Sequence, residues 1–261
     1  MSQAQLEIDE RGVATLTLSR PEVHNAFGAE LIAELHRKLK QLREDPTIRV
    51  LVLTGAGKSF SAGADLNWMR SMIGASEQEN YEDSLRLAQM LGALDEFPRP
   101  TIARVNGAAF GGGVGLVCCC DIAIASTTAT LALTEVRLGI VPAVISPFVI
   151  AAIGERQARR YMQTAQRIDA QRAQELGLVH EISTPEMLDE TVEQEVVRLL
   201  KAGPRALAAI KELVEIRRRY GPDSVNLQRE TAQVIARLRV SDEGQEGVTA
   251  FLEKRKAYFT R

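Results

Sequence analysis

The stretch from Asn106 to Ile124, NGAAFGGGVGLVCCCDIAI, decides how this chain is read. An apolar, β-branched run from Thr101 to Val105 leads into it after Pro98 and Pro100, and an apolar segment free of breakers, Val114 to Cys120, leads out. That order predicts a strand, a tight glycine turn and a buried helix. Gly111, Gly112 and Gly113 would each cost a helix interior about 1 kcal/mol relative to Ala, so helix propensity does not explain them. Glycine lets the backbone take positive φ and lets another group approach bare N–H donors. A helix N-terminus concentrates such donors. The turn is therefore either a seat for a negative oxygen or a close-packed helix start. A phosphate seat calls for a glycine loop ending in Lys-Ser or Lys-Thr, or for GxGxxG with an acidic residue about 20 positions on. Neither pattern is present. An enolate or tetrahedral oxyanion needs only two aimed N–H groups and a dry pocket.

The same grammar occurs about fifty residues upstream. Val50 to Leu53 is the all-apolar kind of strand that is buried on both faces. TGAGKSFSAGADLNWM, Thr54 to Met69, then reads as a second strand, a Gly/Ala loop and a helix starting at Asp65. Two strand-turn-helix units with bare backbone at both turns supply a two-donor anion hole; parallel α/β packing alone also favours small residues at such turns. Downstream, TEVRLGIVP, Thr134 to Pro142, carries one acidic residue, Glu135, between apolar neighbours. Apolar surroundings disfavour a charged carboxylate and raise its pKa toward neutrality, the condition for a proton shuttle. A capping or surface glutamate is the alternative.

The remaining chain frames these segments. Gln5 to Asp9 and Val13 to Ser19 alternate about a turn and predict a hairpin; RPEVHNAF, Arg20 to Phe27, breaks that pattern. Leu31, Ile32, Leu35, Leu39 and Leu42 share one face of a helix over Ala29 to Arg43, and Tyr81 to Leu94 is a second amphipathic helix. Asp121 to Ala125 and Leu131 to Leu133 are short strand-like runs. From Ser146 the pattern is mostly helical: 148–153, 156–164, 170–176, a brief strand over 179–182, then helices over 187–202, 205–220, 224–240 and 246–259. A break near Pro142 to Pro147 separates an α/β core from this helical part.

With 261 residues, 45% of them hydrophobic, the chain has ample material for a packed core. Its 32 basic and 34 acidic residues leave a net charge of −2, which favours neither nucleic acid nor an anionic membrane. No basic-then-apolar leader opens the sequence and no uninterrupted apolar run reaches about 18 residues, so a cytoplasmic protein is expected. Cys118, Cys119 and Cys120 are adjacent on a predicted helix and point in different directions, which suits core side chains and not a metal clamp. His24, His36 and His180 lie in different elements, and no GxSxG elbow surrounds Ser61 or Ser146.

Read together and in order, SRPEVHNAF, GKSFSAGADL, NGAAFGGGVGLVCCCDIAIAS, LTEVRLGIVP, GLVHEI and AFLEKRKAYF resemble the enoyl-CoA hydratase/isomerase (crotonase) family over nearly the full length. The resemblance implies a ClpP-like α/β spiral of repeated ββα units (residues 1–195, carrying the acyl-CoA site) with a helical C-terminal trimerisation region (196–261), in trimers or hexamers. It identifies the anion as the enolate oxygen of an acyl-CoA thioester. The family's two oxyanion donors fall on the backbone N–H groups of Ala64 and Gly112, and its acid/base on Glu135. Ala62, Asp65 and Leu66 fall in the loop that meets the adenine end of CoA, beside Gly111 of the second turn. Phe251 and Lys254 match positions that reach the CoA of a neighbouring subunit. CoA is part of the substrate, and no metal or redox cofactor is implied.

One position departs from the family's two-glutamate hydratases, which carry the second glutamate where this chain has Gly115. A single carboxylate can hold water through one oxygen and protonate C2 from the other, or can instead move a proton from C2 to C4. The run after Pro142 is also changed, and there Ser146 is placed to hydrogen-bond water or substrate. GADLNWMRSM, GGGVGL and PAVISPFVIAAIGERQARRY are most similar to bacterial hydratases of the methylglutaconyl-CoA type, which act on 3-branched glutaconyl thioesters in leucine or terpene catabolism. The distal carboxylate of such a substrate calls for an Arg fork, and Arg70 is the candidate. The expectation is thus a hydro-lyase acting on a branched 2-enoyl-CoA. A single-glutamate Δ3,Δ2-enoyl-CoA isomerase and an acyl-CoA-binding protein without chemistry are the other readings.

Overall fold

The computed structural model describes residues 2–260. Strands β1 (Ala4–Ile8) and β2 (Val13–Leu18) form the expected hairpin, and α1 (Ala29–Glu44) follows with its five leucine and isoleucine positions buried. Three strand pairs come next. β3 (Val50–Gly55) and β4 (Ser59–Ser61) precede α2 (Leu66–Ser71) and α3 (Glu77–Asp95). β5 (Thr101–Val105) and β6 (Ala108–Phe110) precede α4 (Gly112–Cys119). β7 (Ile122–Ser126) and β8 (Thr130–Ala132) precede a short 3-10 turn, Glu135–Leu138, and α5 (Ser146–Thr164). β9 (Ile168–Asp169), α6 (Ala170–Leu176), β10 (Glu181–Ser183), α7 (Leu188–Leu200), α8 (Pro204–Arg219), α9 (Val225–Arg239) and α10 (Asp242–Leu252) complete the chain.

The first strand of each pair joins one sheet, in the order β1-β2-β3-β5-β7-β10, and the second joins another, β4-β6-β8-β9. Each ββα unit therefore advances the chain by one place in both sheets, with β3, β5 and β7 parallel and β4, β6 and β8 parallel. This is the expected spiral. The all-apolar reading of β3 is explained by its two buried faces: Leu51 and Leu53 enter the main core with α1, α3 and α4, while Val50 and Val52 meet Leu188, Val192, Val196 and Leu200 of α7. Position 195 falls inside α7, whose apolar face stays on the sheet through Leu200. Beyond it, α8 and α9 pack around Ala209, Ile216 and Val234 as a layer of their own. Arg49 ties that layer to the core by donating to the carbonyls of Ala202 (3.0 Å) and Phe259 (3.1 Å).

Three sequence expectations shift. The central helix begins at Gly112, two residues before Val114, because Gly112 and Gly113 are themselves helical and pack against Phe27 and Ser61. The strand expected over 179–182 lies at Glu181–Ser183. The last helix is not 246–259: Ser241 caps α10 at its start, accepting from Gly244 N, and the chain leaves it at Leu252. Lys254 has φ 55°, and Arg255 folds back onto Glu246, so Glu253–Lys256 is a turn and not a charged helix end. Cys119 and Cys120 are buried, and burial pushes the Cys118 thiol up to about 12, as suits core side chains. No helix among the described residues is long and apolar enough to cross a membrane.

Candidate active site at three parallel strand ends

Because β4, β6 and β8 are parallel neighbours, the turns that leave them come together at one edge of the small sheet. Ala64 lies three residues beyond β4, Gly112 two beyond β6 and Glu135 three beyond β8. The three sequence candidates are thus equivalent turns of successive units. The contacts between these turns are close. A methyl built on Gly63 would lie 2.9 Å from the Phe110 carbonyl, and one on Gly113 2.6 Å from that of Ser61. Bare backbone at both positions is what lets the two loops stack.

Ala64 is held by an isolated parallel bridge to Phe27, in which Phe27 N donates to Gly63 O at 2.6 Å and Asp65 N donates to Phe27 O at 2.7 Å. In a parallel bridge the flanking residues supply these bonds, so the N–H of Ala64 itself faces away from Phe27. It finds no acceptor among the described residues, and neither does the N–H of Gly112, the first residue of α4. Ala64 is exposed while its neighbours Gly63 and Asp65 are buried.

Glu135 sits against this turn. Gly111 has φ 51°, and a methyl built on it would come 2.9 Å from Glu135 Oε1. Glu135 Oε2 is buried without a hydrogen-bond partner. Burial raises the Glu135 pKa, and the backbone amides of Glu135 and Thr134 oppose that rise without cancelling it. The site thus joins two unpaired N–H donors to a carboxyl group biased toward holding its proton.

The other expected residues divide. Ala62, Asp65 and Leu66 lie in the Ala64 loop, with Leu66 69% exposed. Both oxygens of Asp65 are committed within the chain: Oδ1 accepts from Asn67 N (2.7 Å) and caps α2, and Oδ2 accepts from Arg20 Nη2 at 2.8 Å. Arg70 is exposed on α2 and donates to Asn67 Oδ1 at 2.9 Å. Ser146 opens α5, its hydroxyl donating to Ala143 O at 2.7 Å. Gly115 faces Ile145: a methyl there would overlap Ile145 Cγ2 and lie 3.0 Å from its Cβ. Phe251 and Lys254 stand at the end of α10, Phe251 82% exposed, and no hydrogen bond among the described residues joins them to the strand-end site. A cavity of about 510 Å³ opens at the other end of α4, around Cys118, Asp121, His180 and Arg218, and includes none of the strand-end residues.

Sequence reasoning missed Phe27, which lies on Gly112, Ile145, which fills the space beside Gly115, and Arg20, which pairs with Asp65. The signal for Phe27 and Arg20 was the pattern-breaking RPEVHNAF; nothing local marked Ile145 as the partner of Gly115.

Comparison with known proteins agrees with this architecture. The family model described as enoyl-CoA hydratase/isomerase matches residues 9–261. The crystal structure of an enoyl-CoA hydratase from Shewanella pealeana superposes with a TM-score of 0.95 at 44% identity, covering 98% of this chain and 96% of that one. Enoyl-CoA hydratase ACTT6 of Alternaria alternata is 36% identical over 94% of this chain and 80% of its own length. The trans-2-decenoyl-[acyl-carrier-protein] isomerase of Streptococcus mutans is 30% identical over 96% of this chain and 95% of its own. A family match over nearly the whole chain, carried on a spiral whose successive strand ends bear Ala64, Gly112 and Glu135, means that this chain belongs to the enoyl-CoA hydratase/isomerase family of enzymes.

Proposed function

We propose that the chain is a hydro-lyase that reversibly adds water across the 2,3 double bond of an enoyl-CoA thioester. The observation that carries this reading is Glu135 Oε2, a buried carboxyl oxygen without a partner, beside two N–H groups that are also unpaired. The N–H groups of Ala64 and Gly112 receive the thioester oxygen and stabilise the enolate as charge develops on it. One oxygen of Glu135 takes a proton from water as the water oxygen bonds to C3. The carboxyl then returns a proton to C2, so that hydrogen and hydroxyl add to the same face. A buried carboxyl with a raised pKa suits both halves of this exchange.

For the acyl group we infer a 3-branched glutaconyl thioester. The residues of GADLNWMRSM support it, with Arg70 on α2 as the fork for the distal carboxylate and Ser146 as a further polar contact. The contact between Gly115 and Ile145 favours a second reading. Apolar volume stands where a second carboxylate would assist the water, and one carboxylate alone suffices to carry a proton from C2 to C4. Mass-spectrometric product analysis in 18O-labelled water separates the two, with 3-methylglutaconyl-CoA, crotonyl-CoA and a 3-enoyl-CoA offered in parallel. The expected result is 18O incorporation, fastest into the branched glutaconyl thioester. Double-bond migration without 18O would overturn the hydratase reading in favour of the isomerase.

A further inference from the structure

Phe27 holds both residues whose N–H groups are unpaired, and by different means. Its backbone brackets Ala64 through the bonds to Gly63 and Asp65, and its ring edge lies on Gly112, where a methyl would be 3.1 Å from Cε2 and 3.2 Å from Cδ2. The side chain is 2% exposed. Phe27 is in turn fixed by the segment before it. Asn25, fully buried in the left-handed region at φ 56°, accepts from Arg20 N and donates to the carbonyls of Ala56 (2.9 Å) and Ser59 (2.8 Å). Ser61 Oγ donates to Asn25 O, and Arg20 bridges Ala26 O to Asp65. A non-glycine residue held at positive φ persists only where its surroundings over-determine it. Here those surroundings are Ala56 and the residues of β4, the strand from which the Ala64 loop leaves.

We propose that Phe27 is a positioning residue: it sets the distance and direction between the N–H groups of Ala64 and Gly112, and through them the polarisation of the bound thioester. The proposal rests on the reading of those groups as the thioester's donors. The two loops belong to separate ββα units joined by the β4–β6 pairing and by the close approach of Gly63 to Phe110 and of Gly113 to Ser61, and Phe27 adds the one side chain that fixes both donor-bearing residues at once. Displacing one donor by about 1 Å weakens a preorganised site by up to about a hundredfold in rate, because its value depends on alignment already present before reaction.

The test uses the full chain and a coloured thioester, 4-(dimethylamino)cinnamoyl-CoA, whose absorption band moves to longer wavelength when its carbonyl accepts strong hydrogen bonds. Phe27→Ala removes the ring and keeps the backbone bonds. Phe27→Leu retains most of the buried volume while withdrawing the ring edge from Gly112, and is read where the alanine variant does not fold. The expected result is a red shift on binding to the parent protein and a smaller shift on the variant, with kcat on its best substrate down about tenfold to a hundredfold and KM within about threefold. Band position is a property of each bound molecule, so loss of folded protein lowers its amplitude and does not move it. A variant shift equal to the parent's would overturn the role of Phe27 alone. No shift on the parent protein would remove the donor reading, and the proposal with it.

Discussion

Glu135 is half-buried, with Oε2 closed off from solvent and unpaired, an arrangement that opposes ionisation. Its pKa lies above the ordinary 4.5 when folded, so between 4.5 and the raised value the folded state binds the proton that the unfolded state has released. Stability from this residue therefore falls as pH rises through that window, and the loss is complete above the folded pKa. Glu135→Gln keeps the shape and removes the charge. At neutral pH the variant is expected to melt at a higher temperature than the parent and to lose about a thousandfold in turnover. The difference in melting temperature should vanish below about pH 4.5, where both states of the parent are protonated. Calorimetry across pH together with a turnover assay checks both halves; a variant less stable than the parent at neutral pH would contradict the burial argument. The sequence made Glu135 legible, as one acid among apolar neighbours. Ile145 was not legible, because it meets Gly115 from a loop thirty residues on and no local pattern records that contact.

At the scale of elements, the Ala64 loop depends on the start of α2. Asp65 caps that helix and forms an ion pair with Arg20, and the two side chains are only 8% and 19% exposed. Breaking this partly buried pair by removing one partner is destabilising, and losing an Asp cap costs about 1 kcal/mol more. Asp65→Asn keeps the cap and breaks the pair; Asp65→Ala loses both, so its melting temperature is expected to be the lower of the two. Burial pushes the Asp65 pKa up, but bonds from Asn67, Arg20 and Trp68 outweigh it and hold the group below 3.8. Its contribution is thus fully present above about 3.8 and lost as pH falls toward the folded pKa. The gap between parent and Asp65→Asn should narrow as pH falls below about 3.8, and a gap independent of pH would show that the carboxylate is not the stabilising form. The sequence displayed the long elements, β3 by its unbroken apolar run and α1 by its leucine stripe. It showed the second strands unevenly: β4 was readable only loosely within Thr54 to Met69 and β8 as the run Leu131 to Leu133, while β6 went unread, because three residues are too short for a period of two to declare itself. Those short strands align the three turns: the residues alone paired the two glycine-rich turns as an anion hole, while the sheet that sets Glu135 beside them was not visible.

The whole molecule leaves an apolar surface uncovered on its C-terminal layer. Ile210 and Val214 of α8, Ile235 of α9, and Val248, Phe251 and Leu252 of α10 are between 47% and 82% exposed. Exposed apolar side chains in such number on neighbouring helices mark an association surface, and rotational closure limits the copies that can share it. We expect a trimer of the 28.6 kDa chain, with Phe251 and Lys254 of one copy completing the CoA site of the next. That assignment separates two consequences within one substitution series. Phe251→Ala, near the end of α10, is expected to leave the trimer intact and raise KM for the acyl-CoA about tenfold with kcat nearly unchanged, the pattern of binding lost equally from ground and transition states. Ile210→Asp with Val214→Asp, on α8, is expected to lower the mass seen by light scattering toward one chain and to raise KM by a similar factor, because the neighbour's α10 is then absent. A single-chain mass for the parent protein, or a dissociated variant with the parent's KM, would mean that each copy closes its own CoA site and that the uncovered face of α8 to α10 serves something else.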